Sequence, residues 1–462
     1  MEYRVGQKHQ VIGIDYTHDG LGVAKIDGFT IFVQNLIIGE EAEVEITFVK
    51  KSFLVGKIVK LLKISPDRIQ PLCPIATACG GCQFQHLDYK KELEYKKSKV
   101  RRAFHNIAKM DLEVDEVLGS DDPYHYRNKI IMPIGYDKRK NLIHGFYRYR
   151  SHEIVAMDQC YIEDKRSAPI IHTIKDLMKE LAYDPYDEDN LKGDIRKIMI
   201  RTSYYYDEIM VVIITNKETL PDWDIFTKSL LQAHPEITTL IQNINLSETN
   251  VVLGNKEIVV SGSGKIKDKL CGLEFSISSK SFYQVNVKQT EKLYQKAIEI
   301  ANLKIDETVL DAYSGIGTIG MILAKHVHKV IGVEVVRQAV NDAKHNALIN
   351  DIKNIEFHEA DAGDFILKLE EKQVKIDTVF VDPPRKGLDA KFISGLLKLK
   401  AKSIVYISCD PATLARDVAL LSELYKVEKL VVVDMFSRTY HVESIVHLSF
   451  KTRIRVLGRI SA

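Results

Sequence analysis

The chain of 462 residues has room for about three domains, and its 45% hydrophobic and 28% charged content excludes a disordered protein. Its 65 Lys and Arg nearly balance 63 Asp and Glu, for a net charge of +2. A nucleic-acid partner must therefore be argued from local patches. No apolar run is long enough for a membrane span, Met1-Glu2-Tyr3-Arg4 is not a secretory signal, and six cysteines are too few for a disulfide scaffold. A cytoplasmic protein with no membrane partner is expected.

Residues 1–64 read as short strands. Gln10–Ile14, Gly22–Ile26, Thr30–Val33, Glu43–Phe48 and Val55–Leu62 are separated by turn signals such as Asp19-Gly20 and Asp27-Gly28. Five strands at this spacing predict a small closed barrel, a form that often binds oligonucleotides. Lys50, Lys51, Lys57, Lys60 and Lys63 suit RNA, though a plain structural module fits the residues too.

After a linker at Ser65-Pro66-Asp67 comes C-x5-C-x2-C: Cys73, Cys79 and Cys82, with Gly80-Gly81 letting the backbone turn so that thiolates converge. Cys160 is the candidate fourth ligand. Four thiolates suit zinc or a 4Fe–4S cluster. Zinc ribbons more often show two paired C-x2-C units, so one pair plus two singles leans toward the cluster, with zinc kept open. A helical pattern, 88–108, carries Lys90, Lys91, Lys96, Lys97, Lys99, Arg101 and Arg102, a face suited either to solvent or to phosphate. Over 124–150 arginines and lysines interleave with Tyr124, Tyr126, Tyr147 and Tyr149, a composition fit for stacking and phosphate contacts with single-stranded RNA. Residues 165–270 read as mixed α/β without chemistry.

From Leu303 the pattern becomes strand–helix–strand. Strands ending at Asp311, Glu334, Asp361, Asp382 and Cys409 predict a doubly wound parallel sheet. Gly315-x-Gly317-x-x-Gly320 also matches a dinucleotide fingerprint, so a nicotinamide enzyme competes. Yet Asp311 ahead of the glycines would repel a pyrophosphate and welcome an ammonium. Glu334 can take ribose hydroxyls and Asp361 can lie near adenine. A carboxylate-lined site, with the Gly315 loop, suits S-adenosylmethionine, and Asp382-Pro383-Pro384-Arg385 resembles the turn of nucleobase methyltransferases.

Carbon 5 of a pyrimidine is too weak a nucleophile to take a methyl group unless a nucleophile first adds at carbon 6. Cys409, in Ser408-Cys409-Asp410-Pro411, ends a strand at the open end of the sheet and fits that role. Its neighbour Asp410 does not favour a thiolate, so a nearby cation or donor is expected. A base must then remove the carbon-5 proton. Glu443, in His441-Val442-Glu443-Ser444, is the candidate, its pKa raised by burial.

The sequence resembles the RNA uracil-5 methyltransferases, over nearly its whole length and most closely the Gram-positive type acting on 23S ribosomal RNA. Ser408 to Asp417 matches the nucleophile motif and His441 to Ser444 the base motif. The resemblance implies three units: a TRAM (OB-like) β-barrel at 1–64, an α/β RNA-binding domain with an iron–sulfur cluster at 65–283, and a Rossmann-like S-adenosylmethionine-dependent methyltransferase domain at 284–462. It implies that Cys73, Cys79, Cys82 and Cys160 hold a 4Fe–4S cluster; a structural role is expected for it, since nothing in the reaction transfers electrons. It further implies cofactor contacts from Gln284, Tyr313, Glu334 and Asp382, and stacking of Phe282 on the target base. A monomer working on 23S ribosomal RNA is expected; transfer RNA, or a non-catalytic iron–sulfur RNA-binding protein, are the alternatives. One departure is Ser437-Arg438-Thr439-Tyr440, where relatives often have Pro-His-Thr.

Overall fold

The computed structural model describes residues 3–148, 151–248 and 251–451. Tyr149 and Arg150 of the expected RNA-contact segment lie outside them.

The N-terminal strands form one six-stranded sheet. Alternation in Glu41–Val49 sends Ala42, Val44 and Ile46 inward to meet Ala24, Ile31, Val33 and Leu54. The sequence pattern misses only the two-residue strand Asp15–Tyr16, too short to show a period. Arg68, just past this layer, donates to the buried Glu40 carboxylate (2.5 and 2.7 Å), tying the linker to the barrel.

The central sheet has seven strands, including Lys129–Tyr136, Ile195–Thr202, Ile209–Thr215 and Ile237–Ile244. Ile209–Thr215 is a nearly unbroken apolar run, buried throughout, because both faces of the sheet are covered there. Helices Ser167–Glu180 and Trp223–Ala233 pack on one side; the other meets Tyr283 and Val287.

The C-terminal sheet of eight strands runs Ile355–Glu359, Lys329–Glu334, Thr308–Ala312, Thr378–Val381, Ser403–Ser408, Glu443–Phe450, Tyr425–Val433 and Glu116–Leu118. Its first five are parallel, as the strand–helix alternation predicts. Chain order reverses on either side of Thr308–Ala312, and the strand ends there open into a crevice. Glu443–Phe450 inserts antiparallel beside Ser403–Ser408. Strand Glu116–Leu118, far earlier in the chain, completes the sheet by pairing with Tyr425–Val433.

The basic helix spans Tyr89–Ala103, capped by Asp88, and continues as one wider turn over Phe104–Ala108. Some of its expected phosphate-facing charge is paired within the protein. Lys96 is fully buried between Glu92 and Asp434, and Arg102 pairs with Asp15 at 2.7 Å.

Candidate active site

Ser403–Ser408 is apolar and buried, and Asp410 stops it by capping the next helix, accepting from the N–H groups of Ala412 (2.9 Å) and Thr413 (3.0 Å). Cys409 falls between strand and cap, half-buried. It lines a cavity of about 490 Å³ with Arg385, His441, Tyr440 and Lys99, and with Tyr16, Thr17 and His18 of the barrel.

Beside this cavity four groups interact through their charges. Burial, then the charges of Glu443 and Asp382, push the Cys409 thiol up to about 11, while Arg385 pulls it down. Burial, then Asp382, holds the Glu443 carboxyl well above the usual range, again opposed by Arg385. Burial alone lifts Asp382 to about 7. Arg385 is thus the cation the thiol lacked in sequence; it is the residue directly after Asp382-Pro383-Pro384, and that position was the available signal. Burial keeps His441 neutral, pushed down to about 4.

Asp382 also links this corner to the glycine loop. Its charge raises Asp311, which burial, the larger cause, lifts to about 8. Asp311 Oδ2 and Ser314 Oγ are buried without partners, a polar pair fit to receive a donor such as an ammonium. Glu334 accepts from the N–H of Gly315 (3.1 Å) and of Val336 (2.8 Å). Gly315 has φ 55° and open space where a side chain would stand, whereas a Cβ on Gly317 (φ 84°) would lie 2.6 Å from Phe357. Tyr313 is half-buried on this loop at φ 66°, packed on Phe392. Asp361 is exposed and spends one oxygen capping the next helix through the Asp364 N–H (3.0 Å), leaving one free for a ligand. Gln284 is half-buried with its carbonyl held by Asn128 (3.1 Å), and Phe282 beside it is 68% exposed.

Cys73, Cys79, Cys82 and Cys160 line one cavity of about 290 Å³ together with Arg127, Lys129 and Glu163. Gly81 N–H donates to Cys79 Sγ at 3.3 Å and Gln85 Nε2 approaches Cys82 Sγ at 3.7 Å. Burial raises all four thiols, Cys82 to about 12. Among the described residues, no three His, Cys, Asp or Glu side chains converge tightly enough to form a metal-ion site. The sequence pairing of these cysteines is thus met as a shared cavity, not as a closed ligand set.

Two expected RNA-contact rings do other work. Tyr126 donates to the Ser437 carbonyl (3.0 Å), and Tyr124 lies against the Arg438 guanidinium.

Fold and site define a methyltransferase of the S-adenosylmethionine-dependent fold, carrying a TRAM barrel. The family described as tRNA (uracil-5-)-methyltransferase matches residues 88–451, and the TRAM domain matches 4–59. An uncharacterized RNA methyltransferase of Clostridium tetani is 45% identical over 432 residues, covering 93% of this chain and 94% of that one. Another from Staphylococcus aureus (strain MSSA476) is 44% identical, covering 95% and 97%. The structure of Pyrococcus abyssi tRNA (uracil-54, C5)-methyltransferase with S-adenosyl-L-homocysteine superposes with TM-score 0.78 at 30% identity, over 95% of this chain and 99% of that one. The chain belongs to the RNA uracil-5 methyltransferase family. That membership replaces the nicotinamide reading of the glycine loop. Among the described residues no helix is long and apolar enough to cross a membrane.

Proposed function

We propose that this enzyme, as a monomer, forms 5-methyluridine in 23S ribosomal RNA through a transient bond between Cys409 and carbon 6 of the target uracil. The observation that carries the reading is that Cys409 and Arg385 line one cavity while Glu443 opens the strand paired with the one that leads into Cys409. S-adenosylmethionine supplies the electrophilic methyl group. Asp311, Tyr313, Gly315, Glu334, Asp361 and Gln284 would line its site, and the unpartnered Asp311 Oδ2 fits an ammonium.

The thiol proton leaves to solvent and Sγ adds to carbon 6, pushing the ring electrons onto the carbon-4 oxygen. That enolate attacks the methyl group through carbon 5, breaking the sulfur–methyl bond and releasing a neutral thioether. Glu443 takes the carbon-5 proton; the double bond reforms and expels the Cys409 thiolate. Phe282, already exposed, stacks on the base. Cys409→Ala should abolish product, and Glu443→Gln should trap protein on RNA. Free turnover by either variant would remove its residue from the mechanism.

The assignment of a 4Fe–4S cluster to the four cysteines rests on their number and the one cavity they share, their sulfurs not being gathered into a ligand set in this structure. Such a cluster would be structural, since the reaction transfers no electrons. Iron and sulfide content of protein purified without oxygen, against Cys82→Ser, tests it; zinc in their place would overturn it. We assign residues 1–64 to gripping RNA, 65–283 to the cysteine-bearing unit and 284–462 to methyl transfer, with the helix at 89–103 packed on the last.

The archaeal neighbour's name favours a second reading, transfer RNA as substrate. Assays of the purified protein on ribosomal and transfer RNA separately decide between them.

A further inference from the structure

Residues 434–442 lead into Glu443, yet most of their polar contacts are to a distant part of the chain. Arg438 is the centre of that attachment. It is buried and sits at φ 68°, a left-handed conformation that costs an arginine free energy and persists only when its surroundings hold it. Its carbonyl accepts from the N–H groups of Gln83 and Phe84, both at 3.0 Å. Its own N–H donates to Glu92 (2.8 Å), and Nη1 donates to the Leu87 carbonyl (3.1 Å). Its guanidinium lies over Tyr124 at 4.9 Å and Tyr89 at 5.2 Å. A glycine would relieve the backbone, so the side chain must be the reason for the arginine.

The other end of the attachment is the cysteine turn. Gln83 follows Cys82, donates to the Gly80 carbonyl (3.0 Å) and accepts from the Tyr440 N–H (3.3 Å). On the far flank, Lys99 Nζ donates to the Tyr440 carbonyl at 2.9 Å. The loop that lines the pocket with Tyr440 and His441 and leads directly into the buried Glu443 is therefore held by the residues that follow Cys82.

We infer that Arg438 is a positioning residue for methyl transfer: clamped between two tyrosines and the Gln83–Phe84 amides, it makes the placement of Glu443 depend on the order of the cysteine turn. The inference rests on the reading of Glu443 as base. It gives the cysteine lobe a part in catalysis without electron transfer, through the rigidity of a loop.

The test uses the full-length protein purified without oxygen, with Arg438→Gly, Arg438→Lys, Cys82→Ser and the double variant Arg438→Gly/Cys82→Ser. Amide hydrogen exchange over 434–442 is read beside S-adenosylhomocysteine binding and steady-state kinetics on RNA. Arg438→Gly should speed exchange in that loop and lower kcat on the order of 10- to 100-fold, as a misplaced catalytic group does. S-adenosylhomocysteine binding should stay at the wild-type level, since the glycine loop is elsewhere. Arg438→Lys, which keeps the charge but not the planar fork, should fall between; it also serves if the glycine variant does not fold. Cys82→Ser should produce the same exchange pattern, and the double variant should be no worse than the poorer single one. Wild-type exchange and kcat in both Arg438 variants would overturn the inference. Additive losses in the double variant would overturn the link to the cysteine turn. Turnover by Glu443→Gln would instead sink the reading of the base, leaving the exchange result as it stands.

Discussion

Ser408 faces Ser444 across the antiparallel strand pair, so one further step of the register brings Cys409 level with Glu443. Directly opposed residues point to the same face of a sheet. Cys409 and Glu443, 34 positions apart in sequence, are thereby brought to the same end of neighbouring strands. The antiparallel insertion of the last strand is what achieves this.

That pairing has a pH signature. The Cys409 thiol sits at about 11 because it is buried beside Glu443 and Asp382. In the free enzyme the reactive thiolate is scarce near neutrality and grows with pH. The expected kcat/KM rises about tenfold per pH unit below the thiol pKa, until Glu443 or RNA binding becomes limiting. Arg385→Gln removes the cation that favours both ionised groups, and should lower kcat/KM about 10- to 100-fold. A pH–rate profile on one RNA substrate checks both. A flat profile would mean the thiolate is already formed.

Asp311 is costly to ionise in the fold. Its carboxyl is lifted to about 8 in the fold, chiefly by burial. Unfolding returns it to about 3.9. The folded state holds a proton the unfolded one releases, so stability is fullest below the unfolded value and falls as pH rises toward about 8. Asp311→Asn should flatten that fall, raise stability at pH 8 by about 1 kcal/mol or more, and weaken S-adenosylmethionine binding. Urea melts at two pH values, with calorimetric titration of the donor, would show a variant that is both firmer and poorer at binding.

Phe282 should separate substrate contact from folding. At 68% exposed it contributes little to the core. Phe282→Ala should change stability by no more than about 0.5 kcal/mol. Loss of one base–ring stack is worth about 1–3 kcal/mol, and should appear as a raised KM for RNA or lowered kcat. Equal thermal midpoints with unequal kinetics is the expected result.

Lys96 should behave in the opposite way. Fully buried between Glu92 and Asp434, and also bonded to the Phe436 carbonyl (3.2 Å), it ties the helix at 89–103 to the Glu443 loop. Lys96→Met leaves two buried carboxylates facing each other and should cost about 3–5 kcal/mol. Denaturant melts would read that loss directly; a change within error would mean the carboxylates simply take up protons.

Much of the chemistry was legible in the chain because motif spacing follows the sheet. Strand–turn–helix units place Asp311, Glu334, Asp382 and Cys409 at strand ends, and local hydrogen bonds make those ends readable. The barrel strands were likewise visible within a few residues, since alternating apolar runs record a buried face, whereas most strands of the central sheet were not. Charge was read less well. The helix pattern of Lys96, Lys99 and Arg102 resembles a phosphate-binding face, and Tyr124 and Tyr126 resemble stacking rings, because sequence shows a residue's type but not its partner. Those partners, Asp434, Tyr440, Asp15, Arg438 and Ser437, come from remote parts of the chain. Composition and local periodicity by themselves determined which elements form and which residues can react. Only the tertiary structure decided which charges neutralise each other, that Arg385 stands by the thiol, and that the loop before Glu443 is bonded to the residues after Cys82, because burial and long-range pairing depend on distances through space that sequence order does not encode.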